Sequence, residues 1–365
     1  MKKIIAAMLA VMLIMTAFSG VSWAKETVSP APSASSAGGN AYDDIEAGPS
    51  ELLGETELPR DSEAPGEPEL PGDSEALVLN GWQTDASGET FYYLDGVMLK
   101  GWQTIDGDTY YFGKKTGKLY RGWQTIGGNR YYLGRTTGKL YTGIHKIRGN
   151  VYTFDESGVL LRTVYGDKKA ICLTYDDGPS ANTAAILDTL EQNGGLATFF
   201  VVGNRVKSYS KTINRARAMG CQIGNHSYSH AFYSGLTSKE IRQQIKKCNA
   251  AVEKAVGEAP VITRTPGGNA SDAVKKAVGM PVILWNVDTQ DWKTRNAESV
   301  YREVMRHAKD GNIVLMHDLY ASTAEASKRF IPKLVEQGFQ LVTVEEMALL
   351  KGTKLKAGQV YFSFR

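Results

Sequence analysis

Cysteine is scarce in this sequence, with three residues in 365: Cys172, Cys221 and Cys248. An odd number excludes an intramolecular framework in which every thiol is paired. No two of the three have the CxxC spacing that marks many zinc or redox sites. We therefore expect buried, inert thiols, and any chemistry must rest on other residue types.

Aromatic residues are almost absent from residues 25–77, where Tyr42 stands alone among Ser, Pro, Glu, Gly and Ala. This segment carries 13 acidic and 2 basic side chains, a net charge of −11. So little apolar area cannot offset the entropy of ordering the chain, which excludes a folded domain here. The composition predicts a disordered acidic linker over residues 25–78.

The rest of the chain has the opposite charge. Residues 78–365 carry 38 basic and 26 acidic side chains, a net charge of +12. A basic folded part favours a polyanionic surface such as a bacterial wall. Ordinary solvated charge is the alternative interpretation, and the count alone does not separate the two.

The N-terminus has the pattern of an export signal. Lys2 and Lys3 precede an uncharged apolar run over residues 4–18, and Ser22-Trp23-Ala24 offers small residues for cleavage. We expect residues 1–24 to be a signal peptide and the protein to be secreted. The alternative is an uncleaved anchor, because the run approaches the roughly 18–20 residues that span a bilayer.

A repeat begins near residue 79. Gly-Trp-Gln-Thr recurs at 81–84, 101–104 and 122–125, and a degenerate copy starts at Gly143. Each copy is followed by an aromatic cluster, and the copies contain turn signals such as Asp106-Gly107. Aromatic strands joined by such turns predict β-hairpins. Because one hairpin cannot bury its own face, we expect the units to stack as a solenoid over 79–163.

These repeats resemble the cell-wall or choline-binding repeats of Gram-positive surface proteins. The resemblance implies that aromatic side chains hold choline, as on teichoic acid, or a sugar such as glucan. The alternative is that the aromatics only pack the array, which then serves as a spacer.

Beyond residue 166, short apolar strands alternate with amphipathic helices. The predicted strands are 169–175, 197–202, 221–225, 261–265, 281–287, 312–317 and 339–344. The predicted helices are 182–193, 209–219, 237–256, 271–278, 297–309 and 322–337. Such alternation indicates an α/β fold with a parallel sheet, open or closed. In a barrel, catalytic groups lie at the carboxyl ends of the strands.

Chemically useful residues do follow these strands. Asp176 and Asp177 end the first strand, before Gly-Pro. Neighbouring side chains of an extended chain point to opposite faces, so the strand must turn here for both carboxylates to serve one site. After the third strand, His226 and His230 are four residues apart, which on a helical turn puts both imidazoles on one side. Two His and a distant Asp are typical of a catalytic zinc site with open positions.

Three further segments follow later strands: Arg264 with Pro266-Gly267-Gly268, then Asp291-Trp292, then Leu315-Met316-His317. Each could be an ordinary turn or strand end when taken singly. His145 and His307 have no comparable setting, and we interpret them as structural or surface residues.

Together and in this order, the motifs resemble the NodB-type polysaccharide deacetylases of carbohydrate esterase family 4. That family's pattern runs T-[FY]-D-D-G-P, H-S/T-x-x-H, R-x-P-aromatic-G, D-x-x-D-W and L-x-H, and the resemblance covers about 166–350. It implies a distorted (β/α) barrel of about seven parallel strands, over a catalytic domain at 166–365.

The resemblance also implies roles for ten residues. The metal ligands would be Asp177, His226 and His230, the acid–base set Asp176, Arg264, His317 and Asp291, and the substrate-binding set Gly267, Trp292 and Leu315. Arg264 would hold Asp176, the general base, and Asp291 would tune His317, the general acid. Trp292 and Leu315 would form the acetyl pocket, and the backbone N–H of residue 267 would bind the oxyanion. Zn²⁺ is the expected cofactor, with Co²⁺ or another divalent metal as alternatives.

One residue departs from the pattern. Gly267 stands where the third motif usually has an aromatic residue. The backbone donor is retained, but one wall of the expected sugar groove is missing, so the substrate preference is open.

The sequence therefore predicts a metal-dependent enzyme that removes N-acetyl groups from the N-acetylglucosamine or N-acetylmuramic acid of peptidoglycan, at the bacterial cell wall or outside the cell. Chitin oligomers and acetylated xylan are alternative substrates, and a wall-binding protein with an inactive barrel is the alternative of another class. We expect a monomer that binds no nucleic acid and contacts a membrane only if the signal is uncleaved.

Two other metalloenzyme classes fit less well. A non-haem iron oxygenase also uses two His and one carboxylate, but it leaves Asp-Asp-Gly-Pro and His317 without a role. A HEXXH metalloprotease is excluded because Ser227 stands where the motif requires Glu.

Overall fold

The computed structural model describes residues 78–365. The expected signal peptide at 1–24 and the expected linker up to residue 77 lie outside the described residues. Within 78–365, no helix has the length and apolarity needed to cross a bilayer. The three cysteines are buried free thiols, as expected from the sequence.

The repeat region consists of antiparallel hairpins, as predicted. Its strands are β1 (Gly81–Thr84), β2 (Thr90–Leu94), β3 (Val97–Met98), β4 (Gly101–Ile105), β5 (Asp108–Phe112), β6 (Gly122–Ile126), β7 (Asn129–Leu133), β8 (Gly143–Ile147), β9 (Asn150–Phe154) and β10 (Leu160–Val164). The β4–β5 turn has Asp106 at φ 53° and Gly107 at φ 85°, both left-handed. Two such residues make a turn whose twist matches that of the strands, which is why Asp-Gly is a strong hairpin signal.

Neighbouring hairpins contact one another through backbone and aromatic groups. The Leu119 N–H donates to the Thr90 carbonyl at 2.7 Å, which ties the end of the second unit to the first. The Trp82 ring packs edge-on against Tyr110 of the next unit, with ring centroids 5.0 Å apart. Trp102 and Tyr131 repeat this contact at 4.9 Å. Each unit therefore buries part of its aromatic face on its neighbour.

The second region alternates strands and helices. Its strands are β11 (Ala170–Asp176), β12 (Thr198–Val201), β13 (Gln222–Asn225), β14 (Val282–Ile283), β15 (Val287–Asp288), β16 (Ile313–His317), β17 (Gln340–Leu341) and β18 (Val360–Tyr361). Its helices are α1 (Thr183–Gln192), α2 (Gly203–Val206), α3 (Ser210–Ala218), α4 (Ser238–Val256), α5 (Asp272–Val278), α6 (Asp291–Thr294), α7 (Ala297–His307), α8 (Ala321–Glu336) and α9 (Val344–Leu350). Six of these helices agree with the predicted ones to within a few residues.

The parallel pairings form a closed run. The order is β15-β16-β11-β12-β13. Thr263 then bridges Asn225 at the end of β13 to Val282 in β14. Since β14 and β15 belong to the same segment, residues 282–288, the run ends where it began. The carboxyl ends of these strands are thereby brought around one opening.

The structure differs from the predicted strands in three places. Residues 261–265 contribute only the bridging Thr263, and 281–287 divides into the two short strands β14 and β15. The predicted strand 339–344 pairs only at Gln340–Leu341, with the beginning of β11. Its second half begins helix α9 instead, because Thr343 and Glu346 form a capping box that starts a helix there. The count of seven barrel strands remains a prediction.

Strand β11 shows how the core is divided. Ile171, Leu173 and Tyr175 pack outward with helices α1 and α8, in one apolar cluster. Ala170 and Cys172 point the other way and belong to a second cluster, which also contains residues of β12, β14, β16 and α9. Thr174 and Asp176 continue this row and meet the Arg264 guanidinium. Alternation along one strand therefore separates the helix-packed core from the polar site.

The last hairpin and the barrel share a core. Val151 and Val164 lie in the same apolar cluster as Cys172 of β11. Arg162 of β10 forms an ion pair with Glu346 of α9, with Nε and Oε1 3.1 Å apart, and Glu346 is only 1% exposed. The predicted boundary between 163 and 166 therefore divides chain segments that are packed together.

The Arg162–Glu346 pair yields a stability prediction. Replacing Arg162 with Ala leaves a buried carboxylate without its cation, so we expect the free energy of unfolding to fall by about 3 kcal/mol. The matched control is Arg215→Ala, which removes exposed ion pairs to Asp188 and Glu191. Exposed pairs of this kind contribute about 0–1 kcal/mol. Urea unfolding of both variants measures the difference, and equal losses would contradict the coupling of the two regions.

Candidate active site

Three potential metal ligands converge at the carboxyl ends of β11 and β13. The Asp177 Oδ1 atom lies 3.2 Å from His226 Nε2 and 3.0 Å from His230 Nε2. The three ligand atoms all lie within 4.8 Å of one another. Tetrahedral zinc with bonds of about 2.0–2.1 Å brings its ligand atoms to roughly 3.3 Å from each other. The cluster predicted from sequence therefore has the spacing of a metal site.

The backbone that forms this cluster is not the expected helical turn. Residues 226–230 form a loop after β13, with Ser227 at φ 64° and His230 at φ 58°. Asp177 itself has φ 69°, so the strand ends at Asp176, as predicted for the two adjacent carboxylates. Left-handed residues turn the chain sharply and aim the side chains inward. Such strain in non-glycine residues is typical of functional sites.

Proton positions make a cation chemically suitable here. His226 Nδ1 lies 2.7 Å from the Arg264 carbonyl oxygen, which can only accept, so this nitrogen carries a proton. In the neutral ring that a metal site requires, the Nε2 lone pair would then face the Asp177 carboxylate. Among the described residues, Asp177 Oδ1 is buried without a hydroxyl or amide donor. A divalent cation bound by all three atoms removes this conflict, so the residues fit a metal.

Without a cation, the electrostatics of the cluster favour an ionised Asp177 beside protonated imidazoles, and the hydrogen bond to Asp177 raises the pKa of His230. Burial disfavours the charged carboxylate of Asp177. Hydrogen bonds and charge from the two protonated imidazoles outweigh this cost, and they hold the pKa of Asp177 well below its ordinary value. A carboxylate that stays ionised is a permanent ligand for a cation.

Asp176 lies beside the cluster and is held by Arg264. The Arg264 Nη1 atom donates to Asp176 Oδ1 at 2.8 Å and to Thr174 Oγ1 at 2.7 Å. The guanidinium also donates to the carbonyls of Ile283 and Leu284, and none of it is exposed. Asp176 Oδ2 remains 3.8 Å from His226 Nε2. One oxygen of this carboxylate is therefore fixed, and the other faces the cluster.

His317 and Asp291 form a second acid–base pair. His317 Nδ1 donates to Asp291 Oδ1 at 2.8 Å, and the His317 N–H donates to Asp291 Oδ2 at 2.7 Å. The Thr323 hydroxyl also donates to Asp291 Oδ2, at 2.7 Å. His317 is adjacent to Asp176 across the β11–β16 pairing. The imidazole is thus oriented from behind, with Nε2 left for substrate.

The charge state of His317 follows from its surroundings. Burial opposes protonation, but the hydrogen bond and charge of Asp291 outweigh it, with smaller contributions from Asp176 and Asp177. Together they raise the pKa of His317 to about 9. The ring is therefore an imidazolium near neutral pH, as a general acid requires.

The three predicted substrate-binding residues lie in different settings. Leu315 is buried in β16, and Trp292 is half exposed on α6, next to Asp291. Gly267 lies in a short turn after Arg264, at φ 67°. The ring of Phe232 packs against Gly267, and the same ring contacts His230. The third motif lacks its usual aromatic residue, but the Phe232 ring lies beside that position.

Three family models match the chain. A polysaccharide deacetylase model matches residues 163–281, a choline-binding repeat model matches 79–121, and a putative cell wall binding repeat model matches 122–140. The first match contains the cluster and Arg264 and ends before Asp291 and His317.

Individual relatives agree with these models. The peptidoglycan-N-acetylmuramic acid deacetylase PdaC of Bacillus subtilis is 43% identical over 190 residues, which are 52% of this chain and 41% of PdaC. The solved structure of PdaC covers 52% of this chain and 94% of its own, with a TM-score of 0.51 and 42% identity. A peptidoglycan-N-acetylglucosamine deacetylase of Bacillus cereus is 34% identical over 206 residues, which are 54% of this chain and 96% of that relative.

The chain belongs to the polysaccharide deacetylase family. Within this family, a solved acetyl xylan esterase from Clostridium thermocellum, in complex with a cobalt ion, is 33% identical with a TM-score of 0.51. It covers 53% of this chain and 98% of its own. The chain spans 41% of the length of the first curated relatives it matches, which are PdaC and a Listeria monocytogenes deacetylase.

Sequence reasoning missed several side chains of the candidate site. Thr323 holds Asp291 from the first turn of α8, and Phe232 flanks His230. Asp318 is 1% exposed, accepts a hydrogen bond from Thr183, and lies where a side chain at position 178 would be. Burial raises the pKa of Asp318 to about 7. Only Asp318 had a signal in the sequence, because it directly follows His317.

The His317–Asp291 pair yields a prediction about the pKa of His317. In Asp291→Asn the charge that stabilises the imidazolium is lost while burial remains, so the pKa of His317 should fall from about 9 toward its ordinary value near 6.5. NMR titration of the five histidines measures this. Asp288→Asn is the control, since Asp288 bonds the Gln290 N–H and not His317. A pKa that stays near 9 in Asp291→Asn would show that this carboxylate does not set it.

Proposed function

We propose that this chain hydrolyses N-acetyl groups of cell-wall polysaccharide and releases acetate, with peptidoglycan as substrate. One observation carries the proposal. The Asp177–His226–His230 cluster is flanked by a carboxylate held by Arg264 and an imidazole held by Asp291. A metal-type cluster with a poised base and acid is what amide hydrolysis needs.

Asp177, His226 and His230 would hold the cation, and we propose zinc, with cobalt or another divalent metal as alternatives. When bound, such a cation polarises the acetamide carbonyl and lowers the pKa of water. The cobalt complex of the Clostridium thermocellum relative supports a divalent metal.

The remaining chemistry belongs to the chain's own side chains. Asp176 accepts the proton of the attacking water through Oδ2, because Oδ1 is occupied by the Arg264 guanidinium. An amine is a poor leaving group unless it is protonated, so His317 donates from Nε2 while Asp291 stabilises the imidazolium. The Gly267 N–H would donate to the developing oxyanion. Trp292 and Leu315 would line the pocket for the acetyl methyl group.

The substrate class rests on the relatives and the repeats. PdaC and the Bacillus cereus relative are named as deacetylases of peptidoglycan N-acetylmuramic acid and N-acetylglucosamine. Repeats that match cell-wall-binding models support action at the bacterial cell wall or in the extracellular space. Chitin oligomers remain an alternative, and the acetyl xylan esterase relative supports acetylated xylan as another.

Acetate release tests the proposal on the whole chain, because the last hairpin shares the barrel core. We expect metal-dependent release from peptidoglycan or N-acetylglucosamine oligomers, stopped by a chelator. Asp176→Asn and His317→Ala should each lose about 10²–10⁴-fold in kcat. His307→Ala, on an exposed face of α7, is the control and should match the unchanged protein.

The alternative is a wall-binding protein with an inactive barrel. The predicted metal ligands and the acid–base pair are all present in the sequence, which argues against a decayed site. With metal bound, the absence of acetate release from either substrate would favour this alternative over the deacetylase.

We propose that the repeats hold wall polymers through their aromatic rings. Trp102 is 37% exposed and lies between Tyr111 and Tyr131, with centroids 4.9 Å from each. Partly open aromatic walls suit a choline cation or a sugar. If the rings served only for packing, the array would be a spacer.

A binding experiment separates recognition of wall polymers by the repeats from a role as a spacer. We expect the whole chain to sediment with purified walls that carry choline-bearing teichoic acid, and free choline to release it. Trp102→Leu should weaken binding, by roughly 2–5-fold for one of several sites. His317→Ala leaves the repeats untouched and should bind as the unchanged protein does. Sedimentation that does not depend on choline or Trp102 would contradict choline recognition.

A further inference from the structure

Phe232 is an exposed aromatic ring at the edge of the metal cluster. Its side chain is 62% exposed, although it lies only two residues after His230. The Phe232 and His230 rings meet edge to face, with centroids 5.6 Å apart and planes at 79°. An apolar ring in this position leaves its surface available to whatever approaches the cluster.

The ring is held in place from two sides. Tyr233, the next residue, is 2% exposed and packs with Ile241 and Ile245 of α4, which anchors the loop. On the other side, the Phe232 ring occupies the space beside Gly267. A Cβ atom on Gly267 would lie 2.7 Å from the Phe232 Cε1 atom, closer than such atoms approach. The ring therefore depends on the absence of a side chain at residue 267.

This arrangement explains the departure noted in the third motif. Any side chain at position 267 would need φ 67° and would displace the Phe232 ring. An aromatic wall from the Arg264 loop would therefore require the Phe232 ring to take another position. In this chain, Gly267 leaves room for the Phe232 ring.

We propose that Phe232 is the stacking platform for the sugar ring that carries the N-acetyl group, and so a determinant of substrate binding. This inference rests on the proposed function. Pyranose rings of N-acetylated sugars have apolar C–H faces, and a flat ring offers matching apolar area with few rotatable bonds. Because stacking acts on bound substrate and transition state alike, it lowers KM and leaves kcat nearly unchanged.

The test compares Phe232→Leu with Phe232→Tyr, on the metal-loaded whole chain and with N-acetylglucosamine oligomers. Leucine retains apolar volume without a flat ring, so KM should rise roughly 3–10-fold while kcat stays within about twofold. Tyrosine keeps the ring and should retain the KM of the unchanged protein. Phe362→Leu is the matched control, since Phe362 is 53% exposed and lies at the end of β18.

Two further measurements make the outcomes distinguishable. Hydrolysis of a small acetyl ester without a sugar should be unaffected in Phe232→Leu, and the metal content should be unchanged. Loss of kcat on both the ester and the oligomer would make Phe232 a support for His230 and overturn the inference. An unchanged KM for the oligomer would also overturn it, with the proposed function intact. If the unchanged protein releases no acetate from any substrate, the proposed function fails and the inference falls with it.

Discussion

The buried guanidinium of Arg264 is the interaction on which the site depends. It donates to a hydroxyl and a carboxylate on β11 and to two carbonyls in the 282–288 segment. The main-chain carbonyl of Arg264 accepts a hydrogen bond from His226. The Arg264 Cζ atom lies 4.2 Å from the centroid of the Phe200 ring. Burying a charge without partners costs several kcal/mol, so this residue is stable only when all these segments are in place. The Arg264 side chain therefore joins the closing of the strand ring to the orientation of Asp176, and the main-chain carbonyl of the same residue orients His226.

His317 is likewise oriented by a buried charged partner, the carboxylate of Asp291. Asp291 accepts hydrogen bonds from the His317 imidazole and from Thr323, and it has no exposed surface. Arg264 and Asp291 thus fix a carboxylate and an imidazole that are adjacent across β11 and β16. Preorganised groups of this kind need little rearrangement during reaction, which is where catalytic advantage arises.

The chain also couples its two kinds of fold. The last hairpin provides Val151 and Val164 to the barrel core, and Arg162 pairs with Glu346 at the start of α9. These contacts fix the last hairpin on the barrel core.

Much of the fold could be predicted from periodicity, because apolar spacing directly reflects which face of a strand or helix is buried. The strand 169–175 and the helix 237–256 were predicted nearly to the residue. Asp106-Gly107 correctly indicated the hairpin turn between β4 and β5. The failures have more than one cause. The segment 339–344 was divided because the Thr343–Glu346 capping box outweighed strand propensity. In the segment 261–265, only Thr263 pairs with neighbouring strands. His226 and His230 do not lie on a helical turn, because their loop is shaped by contacts distant in sequence.

The sequence by itself determined which residues are candidates for the site, since the motifs occur in order after successive strands and the residue types suit a metal, a base and an acid. Only the tertiary structure decided how they are held. The hydrogen bond from Thr323 to Asp291, the buried contact of Asp318 with Thr183, and the Phe232 ring beside Gly267 each join segments that are far apart in the chain. No local pattern encodes such contacts, because their energies arise only after the strand ring has closed and excluded water from between them.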